Sequence, residues 1–173
     1  MAPLSSASPS TVAARPIRAA RPAISVGGNR QTALEASLLR YCLSDCLDGI
    51  ANAELCFGNW GGSERPGYQY FDGALLDFGN TLTVSLDGAN LFEGRITAIA
   101  AEYPEASPPT IRVLAEDRFQ DLRMTRRSRV FEGATLRSVA DFIAREHGLS
   151  PEIGVDGEAV PVLAQLNQSD LAF

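Results

Sequence analysis

The sequence offers few side chains of the types that perform catalysis or bind metal ions. His147 is the only histidine in the 173 residues, which excludes sites that need two imidazoles and therefore most catalytic zinc sites. Three cysteines, Cys42, Cys46 and Cys56, have the spacing C-x3-C-x9-C, which matches no standard zinc motif. A site of three cysteines and His147 is conceivable, but lone cysteines more often pack as small apolar side chains. We therefore expect no metal ion, no cofactor and a reducing compartment.

One group of acids has the types and spacing of a general acid and a general base. This group lies at the end of the predicted strand 110–116 and just after it, and consists of Glu116, Asp117 and Asp121. Paired carboxylates of this kind serve in hydrolases, so a hydrolase is one alternative. Acids at a strand end or a helix start are more often solvated, and we predict that the protein is not an enzyme. His147, close to a predicted helix end, is interpreted as structural.

A polar, glycine-rich segment at residues 58–70 is predicted to be a surface loop. Aromatic side chains in and after it suggest a platform for a ligand or a carbohydrate; they are Trp60, Tyr68, Tyr70 and Phe71. A soluble ligand- or carbohydrate-binding β-barrel is therefore the second alternative.

Charge is unevenly distributed along the chain. The formal net charge is −6, yet residues 1–30 contain four arginines and no acid. The acidic remainder would repel nucleic acid, so we expect no nucleic-acid binding. No apolar run is long enough to span a bilayer, and the N-terminus lacks the apolar segment of a signal peptide. The densest basic run, residues 123–129, is predicted to pair with acids of its own chain or of a neighbour; phosphate binding is the other possibility.

Alternating apolar and polar residues predict short strands. We predict strands at Ala23–Val26, 33–44, 51–58, 81–86, 91–99 and 110–116. A helical pattern also fits 33–44, but the turn residues after it favour a strand. Ile99 breaks the alternation, which indicates a bulge or a twist toward a second surface. The predicted fold is mainly β (α+β), with a small antiparallel β-barrel.

The pattern becomes helical after the predicted barrel. Thr135 is a candidate N-cap for a helix, and Gly148 lies just beyond its end. A short strand near Val160–Leu163 follows, and Ser169 is predicted to cap a further helix. We divide the chain into a flexible arm (1–20), the barrel (21–125) and the start of a second, truncated domain (126–173).

Several segments, in this order, resemble the N-terminal part of the phage late control protein D family. That family includes the VgrG spikes of type VI secretion and the baseplate hubs of contractile tails. Residues 41–55 resemble its strand–turn–strand and 78–84 its "G-x-x-v-x-v" strand. Residues 91–99 resemble "l-F-x-G-x-I-x-x-I", and 114–122 the strand exit with its aspartate. The segment QLNQSDLAF (165–173) resembles "Q-x-N-x-S-D-l-x-F".

The resemblance covers residues 21–173 and implies a structural baseplate hub or spike component. In that family three chains form a ring that joins the inner tube to the spike. The implied partners are further copies of the chain, the inner tube protein, and spike-tip and baseplate proteins, with no stable membrane insertion. The implied location is a phage tail or injection particle assembled in the cytoplasm. The candidate interface residues are Leu39, Tyr41, Ile99, Leu114, Arg126, Arg127 and Arg129.

Overall fold

The computed structural model describes residues 21–46, 49–62, 66–154 and 157–173. The predicted arm, residues 1–20, lies outside these ranges. Within the described residues up to Glu116, the chain forms nine strands and one short helix. These are β1 (Ala23–Val26), β2 (Asn29–Arg30), α1 (Thr32–Ser37), β3 (Leu38–Ser44), β4 (Asn52–Gly58), β5 (Trp60–Gly61), β6 (Gly67–Tyr68), β7 (Thr81–Leu86), β8 (Ala89–Glu102) and β9 (Thr110–Glu116).

Seven of these strands form one antiparallel sheet in the order β2-β1-β7-β8-β9-β4-β3, and β5 and β6 pair separately. The strand alternation predicts the buried face correctly. In β4, Ala53, Leu55 and Phe57 are fully buried, while the residues between them are half-exposed. One apolar cluster combines side chains from β1, β4, β7, β8 and β9. The mainly β, α+β class is confirmed.

The sheet does not close into the predicted barrel. Among the described residues β2 and β3 lie at opposite ends of the strand order and do not pair. The predicted strand at 33–44 is a helix in its first part, and α1 contacts both β1 and β4. Leu34 is fully buried in the core, and Glu35 Oε1 accepts a hydrogen bond from Ile24 N–H (3.1 Å). The helix therefore occupies the gap that a strand pair would have closed.

Gly94 lets β8 and β9 approach closely. A Cβ atom added at Gly94 would lie 2.6 Å from Phe92 Cζ and 2.7 Å from the carbonyl carbon of Glu116. Beyond it, the pairing of β8 with β9 shifts by one residue between Ile96 and Ala98. This bulge, predicted from Ile99, lets Ile96 and Ile99 both pack on the inner face.

The rest of the chain builds a smaller unit on a second apolar cluster. Its elements are a 3₁₀ helix (Arg118–Arg123), β10 (Arg126–Ala134), α2 (Leu136–Glu146) and β11 (Val160–Ser169). β10 and β11 pair antiparallel, so the predicted short strand at 160–163 extends to Ser169. Only Leu122, Val139 and Ile143 are buried apolar residues of this cluster. The predicted boundary between the two domains lies between residues 125 and 126. Leu122 of the 3₁₀ helix precedes this boundary, yet it packs in the second cluster.

Local signals determine the ends of α2. Thr135 and Ser138 form a reciprocal capping box at its start, and Gly148 has a positive φ of 64° just beyond its end. Both features confirm the predicted helix. Ser169 Oγ accepts a hydrogen bond from Ala172 N–H (3.3 Å), which is the geometry of an N-cap residue above a single turn.

Candidate functional site

The edge strand β3 exposes apolar side chains. β3 pairs with β4 and is the last strand in the sheet order, so its other edge has no strand partner among the described residues. Leu39 is 64% exposed and Tyr41 is 38% exposed. A bulge between Leu38 and Arg40 interrupts the regular pairing. An edge strand with exposed apolar side chains is a candidate surface for association with another chain.

Of the other two predicted apolar contacts, Ile99 shares the inner face of the sheet with Tyr41, whereas Leu114 does not. Ile99 pairs with Val113 and packs against the core from the inner face. Leu114 pairs with Ala98 on the opposite, outer face. Successive residues of a strand point to opposite faces, so Leu114 and Val113, the partner of Ile99, face opposite ways. Any role they have in an interface stays a prediction.

A row of ion pairs crosses four neighbouring strands on the outer face. Arg40 of β3 binds Glu54 of β4 at 2.8 Å. Arg112 of β9 lies 3.7 Å from Glu54 and also binds Glu102 of β8. These side chains are about a third to two-thirds exposed, so each pair contributes little to stability. The row gives the outer face a polar character with alternating charges.

Asp170 lies at the centre of a polar cluster in the smaller unit. Its side chain is 1% exposed. Its Oδ1 accepts hydrogen bonds from Arg129 Nη2 (2.5 Å) and Gln165 Nε2 (2.8 Å), and its Oδ2 lies 2.8 Å from His147 Nε2. Arg127 Nε is 3.5 Å away. One carboxylate therefore connects β10, β11 and the end of α2.

Glu146 completes this cluster from the last turn of α2. Its two oxygens accept hydrogen bonds from Arg127 Nη1 (2.5 Å) and Arg129 Nη1 (2.6 Å). The hydrogen bond from Arg129 and the charges of both arginines lower the pKa of the Glu146 carboxyl. Burial acts to raise the pKa of Asp170, but the hydrogen bonds from His147 and Gln165 and the charges of Arg129 and Arg127 outweigh it and hold the pKa low. Two arginines thus balance two carboxylates.

The geometry of the Asp170 cluster suits the positioning of α2, β10 and β11 relative to one another rather than catalysis. A histidine beside an aspartate is part of many nucleophile-activating sites. Among the described residues, however, no hydroxyl or thiol side chain hydrogen-bonds to His147. The prediction that the basic run pairs with acids is confirmed within the chain, since Arg127 and Arg129 both bind Glu146 and Asp170. Arg126 donates to Asn167 O (3.4 Å).

The three predicted acids are engaged in structural contacts. Asp117 accepts hydrogen bonds from Phe119 N–H (2.9 Å) and Ala51 N–H (3.1 Å), which cap the 3₁₀ helix and hold β4. Glu116 binds Arg123 at 2.5 Å. Asp121 lies 3.6 Å from Arg95 and 3.8 Å from Arg118. The hydrolase alternative therefore gains no support from these acids.

Only two of the four predicted aromatic residues form a common surface. Trp60 and Tyr68 pack edge to face, with ring centroids 5.4 Å apart. Tyr70 is buried and donates a hydrogen bond to Ala33 O (3.1 Å), whereas Phe71 lies beside Phe78 in a different depression. Sequence reasoning missed Tyr103, which packs on Tyr68 at 5.5 Å. Pro104, Pro108 and Pro109 follow Tyr103 in the sequence and indicate a loop of restricted conformation there.

Other predicted groups remain apart. Cys42 and Cys46 are exposed, Cys56 is half-buried, and all three are free thiols. Within residues 21–46, 49–62, 66–154 and 157–173, no cluster of His, Cys, Asp and Glu is arranged to hold a metal ion. Over the same ranges, no helix has the length and apolar character needed to cross a membrane.

Comparison with known proteins gives matches in structure but not in sequence. No protein-family model matches this chain, and no curated protein matches it either.

Several solved structures are similar in fold, among them the following three. The 43 kDa tail protein of prophage MuSo2 from Shewanella oneidensis matches with a TM-score of 0.69 and 18% identity, over 88% of this chain and 45% of its own. The E. coli c3393 protein, a type VI secretion component with structural similarity to the T4 bacteriophage tail proteins gp27 and gp5, matches with a TM-score of 0.57 and 14% identity, over 86% of this chain and 40% of its own. A tail protein from Neisseria meningitidis MC58 matches with a TM-score of 0.51 and 16% identity, over 73% of this chain and 34% of its own. This chain spans less than half the length of each, and it has the fold of part of these phage tail and type VI secretion proteins.

Proposed function

We propose that this chain is part of a structural baseplate hub or spike component of a phage-like contractile tail or injection system. In this role it joins the inner tube to the spike, as a trimer in the full-length parent protein, and performs mechanical rather than chemical work. In this proposal residues 21–125 correspond to the tube-like domain and 126–173 to the start of the second domain, with the 3₁₀ helix Arg118–Arg123 packing on the apolar cluster of the second. Its partners are copies of itself, the inner tube protein, and spike-tip and baseplate proteins.

The observation that carries the proposal is the likeness in fold to the MuSo2 tail protein, with a TM-score of 0.69 over 88% of this chain. A second solved structure of the same fold belongs to a type VI secretion component. The segments that resemble the late control protein D family occur in the same order along the sequence. These segments include Gly94, whose missing side chain the β8–β9 contact requires.

The exposed edge of β3 supplies a surface for assembly. Leu39 is the more exposed of the two large apolar side chains that β3 exposes. Burial of a leucine side chain in an interface contributes about 1.5–3 kcal/mol. A charged side chain at this position would oppose burial against a neighbouring subunit, because an unpaired charge is costly to remove from water.

Gene deletion and complementation test the proposal. We expect deletion in the host that encodes the protein to abolish intact tails or injection particles in electron micrographs, and the wild-type gene to restore them. The Leu39→Arg variant should restore few particles, whereas Leu91→Arg, at another exposed leucine, should restore them fully. Both variants should keep the wild-type melting temperature. Intact particles from the deletion strain, or particles without this protein, would contradict the proposal.

A further inference from the structure

The two-stranded sheet of the smaller unit has one covered face and one exposed face. On the inner face, Arg127 and Arg129 of β10 bind Glu146 of α2. Phe131, the next residue of β10 to point inward, packs edge to face against a ring of the same helix. Successive side chains of a strand point to opposite faces, so the even-numbered residues 126–132 lie on the outer face, where all four are exposed.

The centre of this outer face is apolar. Val130 is 56% exposed, and Val162 and Leu166 of β11 are 60% and 69% exposed. Ala164, the direct cross-strand partner of Val130, is exposed as well. Several apolar side chains grouped on an exposed sheet face mark a surface for association with another protein.

Two opposite charges flank the apolar centre. Arg126 and Glu132 are both exposed on the outer side of β10. Six residues separate them, which is about 20 Å along the strand at ~3.3 Å per residue. Arg126 donates to a backbone carbonyl, Asn167 O (3.4 Å), and among the described residues neither charge forms an ion pair. Both charges are therefore available to another chain.

This order of charges fits a second copy in the reverse orientation. A twofold rotation that stacks the two outer faces with their strands antiparallel, about the midpoint at residue 129, places Arg126 of each copy opposite Glu132 of the other. The same rotation brings Val130, Ala164 and Leu166 of the two copies together at the centre. Stacked sheets lie about 10 Å apart, which these two long charged side chains span together. A patch that is complementary to itself is what a twofold interface requires.

Pairing at the free edge of β10 fits these residues less well. An antiparallel edge pair would also set Arg126 against Glu132, but it would place Arg129 directly opposite Arg129 of the other copy. Like charges directly opposite one another destabilise a strand pair. Edge pairing would also leave the apolar outer face exposed, whereas stacking buries it.

We propose that two copies of this chain associate face to face through the outer side of the β10–β11 sheet. β10 has nine residues, so the face is about 30 Å long and about 10 Å wide. This is smaller than a standard interface, and the dimer therefore dissociates on dilution. The contact goes beyond the proposed function, because copies in a threefold ring meet through two different patches. Particle assembly and this dimer can each be present without the other.

Sedimentation equilibrium of the full chain at increasing concentration tests the contact. We expect a reversible equilibrium between monomer and dimer. Arg126→Glu sets two carboxylates against each other at both ends of the interface and should weaken the dimer at least about tenfold. Arg145→Glu makes the same change in net charge at a residue of α2 whose side chain is 72% exposed, and it should dimerise as the wild type does. Far-UV circular dichroism checks that both variants fold.

Exchange of the two charges makes the test decisive. The double variant Arg126→Glu, Glu132→Arg should restore the dimer to within about threefold of the wild type. Arg126→Glu chains mixed with Glu132→Arg chains should form heterodimers more readily than either forms homodimers. A wild-type chain that stays monomeric up to about 1 mM would assign the apolar face to a different protein and overturn the proposal. A dimer that the double variant does not restore, or that Arg145→Glu weakens as much as Arg126→Glu does, would also overturn it.

Discussion

His147 Nε2 and Asp170 Oδ2 lie 2.8 Å apart, although 23 residues separate them in the sequence. His147 directly follows α2, and Asp170 directly follows β11, so this contact ties the end of the helix to the end of the strand. Arg129 of β10 binds the same carboxylate. In the part of the chain that the structure describes, the smaller unit that these elements form with the 3₁₀ helix has only three buried apolar residues. Its stability therefore depends on polar contacts to an unusual degree.

The Asp170→Asn substitution should destabilise this unit. It removes one of the two negative charges that balance Arg127 and Arg129. Glu146 still binds both arginines, but Arg129 Nη2 and Arg127 Nε lose their charged acceptor in a site from which water is largely excluded. Breaking a buried ion pair on one side costs about 3–5 kcal/mol. Because the arginines are partly exposed, we expect a loss of about 2–3 kcal/mol in the free energy of unfolding. Urea denaturation followed by circular dichroism measures it.

An exposed ion pair on α2, the helix that ends beside Asp170, provides the control. Asp141 and Arg145 form an i,i+4 pair at 3.0 Å, and Arg145 is 72% exposed. Pairs of this kind contribute only about 0.3–0.5 kcal/mol, so Asp141→Asn should leave the unfolding midpoint almost unchanged. Equal effects of the two substitutions would show that Asp170 does not organise the unit.

Acid should weaken the same cluster. The pKa values of Asp170 and Glu146 are both lower in the folded chain than their ordinary values. A carboxyl of this kind stabilises the folded state above its unfolded pKa, about 3.9 for Asp and 4.3 for Glu, and this contribution is lost as the pH falls through the folded pKa. We expect the free energy of unfolding to decline below about pH 4.

Substitutions at these carboxyls check the origin of the acid effect. Asp170→Asn and Glu146→Gln each remove one titrating group, so each variant should lose less of its remaining stability between about pH 5 and pH 3 than the wild type does. Urea titrations at several pH values measure this slope. A slope as steep in both variants as in the wild type would place the acid sensitivity elsewhere.

The sequence predicts elements whose signals are local. The cap and the glycine that determine the ends of α2 lie within the helix or next to it. Strict alternation in β4 and β9 identifies their buried faces without knowledge of their neighbours. In these segments the propensity of the backbone and the burial of the apolar side chains favour the same structure.

The sequence does not predict features that depend on distant contacts. The pattern of residues 33–44 fits both a helix, through Leu34, and a strand. The choice of helix depends on tertiary contacts, including the bond from Ile24 N–H to Glu35. The polar cluster cannot be predicted as a unit from the sequence, because Arg129 and Asp170 are 41 residues apart. The contact of Tyr103 with Tyr68 is unpredictable for the same reason.

The capping box of α2 should contribute measurably to stability. Thr135 Oγ1 accepts a hydrogen bond from Ser138 N–H (3.1 Å), and Ser138 Oγ accepts one from Thr135 N–H (3.0 Å). We expect Thr135→Ala to lower the free energy of unfolding by about 1 kcal/mol. Thr125→Ala, at an exposed position before β10, should have almost no effect. Thermal unfolding followed by far-UV circular dichroism compares the two, and equal midpoints would contradict a role for the cap.

The close approach of β8 and β9 makes Gly94 sensitive to a single methyl group. An added Cβ would lie 2.6 Å from Phe92 Cζ and 2.7 Å from the carbonyl carbon of Glu116, so the strand backbone itself would have to move. Overpacking of this kind costs about 1–3 kcal/mol, and we expect Gly94→Ala to lower the free energy of unfolding by about 2 kcal/mol or more.

Gly58 in β4 is a matched control, because its added Cβ would meet only Ser37 O, at 3.8 Å. There alanine also restricts the unfolded chain, so Gly58→Ala should leave stability unchanged or raise it slightly. Guanidinium denaturation measures the unfolding midpoints of both variants. Similar midpoints would mean that the strands adjust to a methyl group at Gly94. Packing would then not require the glycine of the F-x-G segment.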